Sequence, residues 1–120
     1  MFVRWAQVTA FLPSMQYSIP PWHYTNSSIA VNKICKDLID LREALVYPVL
    51  IKEADNAVKV GSPIIRPMWW LDNTDQNLYN ISDQFLVGNE ILVAPMETRR
   101  RTTFLSSYKL SRMRDQGSRK

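Results

Sequence analysis

Nine consecutive residues constrain this chain most. Pro63-Ile64-Ile65-Arg66-Pro67-Met68-Trp69-Trp70-Leu71 is a nearly continuous apolar run, rich in β-branched and aromatic side chains. A strand with one face in water alternates apolar and polar residues. An unbroken run points instead to a strand buried on both faces, as in a parallel sheet covered by helices. Such a strand needs paired neighbours. Pro67 lacks a ladder donor, which argues for an irregular or edge position. Arg66 is costly to bury alone, so the expectation is a carboxylate partner from a part of the protein outside this chain. Trp69 and Trp70 are expected to pack in the core rather than line a pocket.

The flanking sequence supplies helices. Phe2, Val3, Trp5, Val8, Phe11 and Leu12 fall near helical spacing, which predicts a helix over 2–12 that ends before Pro13. Residues 14–19 read as a short strand, stopped by Pro20-Pro21, with Trp22, His23 and Tyr24 in an aromatic loop. From Ile29 the pattern changes. Val31, Ile34, Leu38, Leu41 and Leu45, joined by Cys35, form the apolar stripe of an amphipathic helix. Lys33, Lys36, Asp37, Asp40 and Glu43 lie mostly off that stripe. Ser27 or Ser28 is the expected N-cap, Pro48 the expected kink and Gly61 the expected stop. Further on, Asp72–Asp75 reads as a turn, 82–86 as one helical turn ended by Gly88, and 90–95 as a strand.

That order is an αβαβ strip, which predicts an α/β protein. Two core strands cannot close a sheet, so the expectation is a piece of a larger domain. The 46% hydrophobic and 22% charged composition is globular. The formal charge of +4 invites a nucleic-acid reading, but it is unevenly spread. Residues 1–96 carry seven basic and nine acidic side chains, a net −2, while 97–120 carry eight and two, a net +6. One cysteine, Cys35, and one histidine, His23, exclude an internal disulfide and a Cys/His zinc cluster. Three glycines leave no Gly-rich phosphate loop, and no apolar run reaches membrane-spanning length. No signal peptide is expected at Met1-Phe2-Val3-Arg4-Trp5. Two N-glycosylation sequons, Asn26-Ser27-Ser28 and Asn80-Ile81-Ser82, lean toward a secretory compartment.

Several segments then carry a pattern in register: Arg4-Trp5-Ala6-Gln7-Val8-Thr9-Ala10-Phe11-Leu12-Pro13-Ser14-Met15, Leu41-Arg42-Glu43-Ala44-Leu45-Val46-Tyr47-Pro48, and Pro63–Trp70. Asp83–Gly88 and Leu92-Val93-Ala94-Pro95 follow. Together they resemble the C-terminal part of the catalytic region of glycoside hydrolase family 31, over about residues 2–96. Ser14–Trp22 is most similar to the branch of the myogenesis-regulating glycosidases. The resemblance implies a (β/α)8 barrel with its site at the C-terminal strand ends, followed by a β-sandwich. Residues 1–88 would be the end of the barrel, with 14–19 as its seventh strand, 29–58 the outer helix and 63–70 the eighth strand. Residues 82–88 would form a closing helix, and 89–96 would begin the sandwich. It also implies a retaining hydrolase with an Asp pair as nucleophile and general acid/base. Neither of the family's two catalytic motifs occurs here, and Asp37, Asp40 and Glu53 are read as lying on the polar face of a helix. No catalytic residue is assigned.

One substrate-facing position is implied. Many α-glucosidases of the family end the seventh strand with Arg-Asn-His, and here Gln16-Tyr17-Ser18 stands in its place. That departure from the glucosidase pattern fits a branch with a different substrate, and the branch it resembles implies an α-galactoside. Ser18 offers a hydroxyl to a sugar, against the alternative of bonding to backbone. Trp22 and Tyr24 offer rings that stack on sugar, against the alternative of anchoring their loop. His23 reads as a surface residue and Cys35 as a core residue. No metal or cofactor is expected. The expected partner is a carbohydrate, and the isolated chain should be inactive and poorly soluble or partly unfolded. The basic segment 97–120 departs from the family and reads as a solvated tail. The alternative is a non-enzymatic interaction module whose basic arm binds nucleic acid or anionic lipid.

Overall fold

The computed structural model describes residues 1–24 and 30–95. The chain divides into two compact units, one from Met1 to Lys52 and one from Glu53 onward. The expected tail at 97–120 and the expected caps Ser27 and Ser28 lie outside the described residues.

The first unit begins with helix α1, Phe2–Thr9, which packs against the next helix. Ala6 is its buried residue, and Ala10 and Phe11 just beyond its end are buried as well. The turn beyond it winds tightly, with Phe11 N donating to Val8 O and Leu12 N to Thr9 O, both at 3.1 Å. Helix ends leave carbonyls without partners. Arg42 supplies donors here: Nη1 donates to the carbonyls of Ala10 at 2.7 Å and Leu12 at 2.6 Å, and Nη2 to Pro13 at 3.0 Å. Residues 14–19 form no strand, contrary to expectation. A strand exists only by pairing, and no described segment offers them a ladder. The 3-10 turn Pro21–Tyr24 follows the two prolines.

Helix α2 spans Val31–Leu41, with Ala30 at its N-cap, and buries Val31, Cys35 and Leu38. Lys33 pairs with Asp37 at 2.9 Å and Lys36 with Asp40 at 2.8 Å on the exposed face. Such pairs each add a few tenths of a kcal/mol, roughly 0.2–0.5. The helix continues through a π-helical turn, Arg42–Val46, into helix α3, Tyr47–Val60. Pro48 explains the turn. It has no N–H for the carbonyl of Ala44, and its ring crowds that carbonyl. The wider turn, with Tyr47 N–H donating to Arg42 O, accommodates the ring and adds one residue to the period. The buried face therefore shifts by one. Leu45, expected on the stripe, is 46% exposed, while Val46 is fully buried and Val49 and Leu50 continue the face.

In the second unit α3 stops at Gly61, as expected. Gly61 has φ +73° and its N–H donates to Ala57 O at 3.0 Å. Strand β1 is only Ile65–Pro67. It pairs antiparallel with β2, Phe85–Val87, which pairs antiparallel with β3, Ile91–Val93. The strand order is β1-β2-β3, so Pro67 does lie on an edge strand. The expected parallel strand over 63–71 is thus shorter and antiparallel, and Met68–Trp70 turn away as a 3-10 helix. Residues 85–87, expected in a helical turn, are a strand because β1 and β3 flank them with register Arg66↔Leu86↔Leu92. The Asp72–Asp75 turn is present. Asp72 Oδ1 accepts from Thr74 N at 2.8 Å, and Asp75 caps helix α4, Gln76–Tyr79, through Asn77 N at 2.9 Å. Met68 and Leu86 form the core, with Leu71, Leu78, Ile81 and Leu92 packed on it. Helices and a small sheet make an α/β segment.

Candidate functional site

The carboxylates show first what the chain does not assemble. Asp37, Asp40 and Asp55 are exposed and each pairs with a lysine four residues away. Asp72 and Asp75 serve the turn before α4, and Thr74 holds the Asp72 carboxyl below its ordinary range by donating to it from side chain and backbone. Glu53 is not on a polar face, as expected from its type, but 3% exposed. Its partner is Arg66, 4% exposed, whose Nη2 donates to Glu53 Oε2 at 2.5 Å. The carboxylate sought outside the chain is therefore supplied from within it, thirteen residues upstream. Arg66 also donates through Nε to Pro63 O at 2.8 Å and through Nη1 to Asn89 Oδ1, and its guanidinium lies 5.5 Å from the Trp70 ring centre. A guanidinium so fully engaged is a fixed structural group. Trp69 and Trp70, expected in the core, are exposed, because the chain leaves the sheet at Met68.

The cleft belongs to the first unit. Phe2, Trp5, Ala6 and Thr9 of α1 face Gln16, Tyr17, Ser18 and Ile19 across a cleft of about 190 Å³. Helical spacing puts the four α1 residues on one side of that helix. Arg42 fixes the turn that carries the chain back toward them. Ser18 is exposed at the cleft wall. Trp22 is 67% exposed in the following 3-10 turn and does not line the cleft, so the structure brings Ser18 to it and leaves Trp22 outside.

Tyr17 is the group that residue-type reasoning passed over. Its ring lies 5.7 Å from that of Phe2, which in turn lies 4.8 Å from Tyr24. The Tyr17 hydroxyl is buried without a hydrogen-bond partner. Burial pushes its pKa up to about 12, and the adjacent Cys35 thiol adds to the rise. A thiol is a weak donor and acceptor, and Cys35 stands beside the hydroxyl without satisfying it. Cys35 itself is a buried free thiol, as expected of a core residue. Among the described residues no group of three His, Cys, Asp or Glu side chains could hold a metal ion. The cleft thus offers an apolar floor with the Gln16 amide and the Ser18 hydroxyl at one wall, while the Tyr17 hydroxyl is buried. That suits binding of a small polar ring and contains no acid–base pair.

Residues 61–111 match the family model described as the glycosyl hydrolase family 31 C-terminal domain. The chain is 43% identical over 96 residues to the myogenesis-regulating glycosidase of Mus musculus, covering 80% of this chain and 13% of that protein. It is 40% identical over 96 residues to the SITS-binding protein of Tetronarce californica, again 80% of this chain and 14% of the relative. Over this segment the chain belongs to glycoside hydrolase family 31. Alpha-glucosidase 2 of Bacillus thermoamyloliquefaciens is 32% identical over 105 residues, 82% of this chain and 13% of that enzyme. This family 31 chain spans about one seventh of the length of those relatives. The family model takes in the sheet β1–β3 and Arg66, while Glu53 and the cleft at Ser18 lie before it.

Proposed function

We propose that this chain is part of a retaining glycoside hydrolase acting on α-O-glycosidic bonds. Its 43% identity to a protein named as a glycosidase, over 80% of the chain, carries the reading. In the whole protein, residues 1–88 would close a (β/α)8 barrel and 89–96 would begin a β-sandwich. The cleft wall Gln16-Tyr17-Ser18 would be a sugar-facing surface. Ser18 would donate to a sugar hydroxyl and Trp22 would present a ring face from the neighbouring turn.

The chemistry would come from elsewhere. A retaining enzyme uses one carboxylate to attack the anomeric carbon while a second protonates the leaving oxygen, and the second then deprotonates the water that releases the sugar. No pair of described carboxylates in this chain is arranged for that, so the 120-residue chain alone should not turn over. With Gln16-Tyr17-Ser18 at the wall, an α-galactoside is the substrate class we favour. The test is hydrolysis of chromogenic α-galactosides and α-glucosides by this chain, and by a polypeptide extended upstream to include a strand-end Asp pair. Turnover only by the extended protein, faster on the galactoside and with a raised KM in Ser18→Ala, is the expected result. Turnover by the 120-residue chain, or none by the extended protein on any α-glycoside, would overturn it.

A further inference from the structure

The hydrolase reading uses neither sequon, and the one at Asn80 lies among the described residues. Asn80 is the C-cap of α4, with φ −88° and ψ −5°, and its backbone N–H donates to Asn77 O at 3.3 Å. Its side chain is exposed, and among the described residues nothing holds its amide. Ile81 packs against the Met68–Leu86 core, so the middle of the sequon is pinned. Asn80 and Ser82 on either side of it stay exposed. The residue before Asn80 is Tyr79, 48% exposed, whose ring stacks on Trp69 at 5.8 Å with 8° between the planes. Its hydroxyl donates to Asn73 O at 3.0 Å, which fixes the ring. Trp69 also lies 5.8 Å from Trp70, so three exposed aromatic rings gather at Tyr79, the residue that precedes the exposed Asn80 in the chain. A patch of that kind on a surface asks for a cover.

The geometry points to Asn80 as an N-glycosylation site whose first sugars lie over the Trp69–Tyr79 rings. The sequon supplies the acceptor amide and, two residues on, the hydroxyl that acceptor recognition requires. The donor is a lipid-pyrophosphate-linked oligosaccharide with N-acetylglucosamine at its reducing end. A bond forms between Asn80 Nδ2 and the anomeric carbon. The bond from that carbon to the pyrophosphate oxygen breaks, the oxygen keeps the electron pair, and the amide proton passes to a base of the transferase. An attached sugar has an apolar C–H face that fits an aromatic ring and a hydroxyl rim that stays wet, which matches amphipathic rings held at the surface. The site stands independently of the hydrolase reading, since glycan addition requires no activity from this chain.

The experiment expresses the full chain behind a cleavable secretory leader in a mammalian cell line. Glycopeptide mass spectrometry then reads the peptides carrying Asn80 and Asn26, before and after peptide N-glycanase. The glycan at Asn80 is expected in the parent, absent in Asn80→Gln and Ser82→Ala, and retained in Ser82→Thr. Both positions are exposed, so folding should be unaffected. An Asn80 peptide found unmodified in the secreted parent, whatever the state of Asn26, overturns the site. For the rings, acrylamide quenching of tryptophan emission should increase on deglycosylation. Equal quenching before and after would overturn the seating of the sugar.

Discussion

Glu53 Oε2 accepts a hydrogen bond from Arg66 Nη2 at 2.5 Å, with the two side chains 3% and 4% exposed. The pair joins α3 to the edge strand β1, and through Asn89 the arginine also holds the β2–β3 turn. Removing one partner strands a charge in the interior, which costs about 3–5 kcal/mol, whereas replacing both with apolar groups of similar volume is often neutral. Glu53→Gln and Arg66→Met should therefore each destabilise strongly, and Glu53→Leu with Arg66→Met should recover most of the loss. Denaturant midpoints of the chain, or of a longer polypeptide containing it, check this. Additive losses in the double variant would mean that the two groups act separately.

Gly88 is bound to the same pair. Its φ is +57°, and a Cβ there would sit 2.6 Å from Glu53 Cγ. Left-handed backbone alone costs an L-residue about 1–2 kcal/mol. Gly88→Ala should exceed that in the parent and fall to roughly the same 1–2 kcal/mol in a Glu53→Ala background, where the collision is gone. An equal penalty in both backgrounds would show that the carboxylate does not press on the turn.

Much of the local structure was readable from residue spacing. Pro13 and Gly61 bound helices, Val31, Cys35 and Leu38 define a face, and Asp72–Asp75 turns. What escaped depends on partners distant in sequence. Phe85-Leu86-Val87 is too short for periodicity to separate helix from strand, and only pairing with Ile65–Pro67 and Ile91–Val93 decides it. Glu53 looks like a surface acid until Arg66 is placed against it. Ser18 was singled out only because the family pattern marked its position, and it lines the cleft, while Tyr17 next to it was missed as a buried group because its burial comes from residues distant in sequence, such as Phe2 and Cys35. Arg42 stood inside a quoted motif, but nothing in its spacing reveals that its donors reach Ala10, Leu12 and Pro13.

The π-turn at Arg42–Val46 makes a prediction opposite to that of the simple stripe. Leu45→Ala should shift stability by less than about 0.5 kcal/mol, the usual size for an exposed site. Val46→Ala, at a fully buried position, should cost about 1–3 kcal/mol. Thermal or denaturant unfolding of the two variants separates the readings. The reverse order would mean that the helix runs through this region without the extra residue.

Arg42 should matter to the cleft more than its half-buried position suggests. Three carbonyls lose their donor in Arg42→Ala, and hydrogen bonds from a charged group are worth about 1.5–3 kcal/mol each before solvent compensation at the exposed end. The expected result is a loss of roughly 2–4 kcal/mol and faster amide exchange over residues 10–18. Arg42→Lys should recover only part, since one ammonium cannot span three carbonyls. Unchanged exchange in that segment would remove Arg42 from the positioning of the cleft.

Tyr17 gives the chain an alkaline weakness. Its pKa rises from 10.0 to about 12 in the folded state, chiefly because burial opposes the phenolate. The folded form therefore holds its proton over a range in which the unfolded form releases it. The stabilising contribution is complete below pH 10 and drains away as pH climbs to about 12. Tyr17→Phe removes the titrating group and keeps the ring contact with Phe2. It also removes a hydroxyl that has no hydrogen-bond partner, so stability near neutral pH should stay level or rise. Unfolding midpoints across that pH range should fall less steeply for Tyr17→Phe than for the parent. A neutral-pH loss above about 1 kcal/mol in the variant would show instead that the hydroxyl is satisfied in the fold, with the Cys35 thiol as its acceptor.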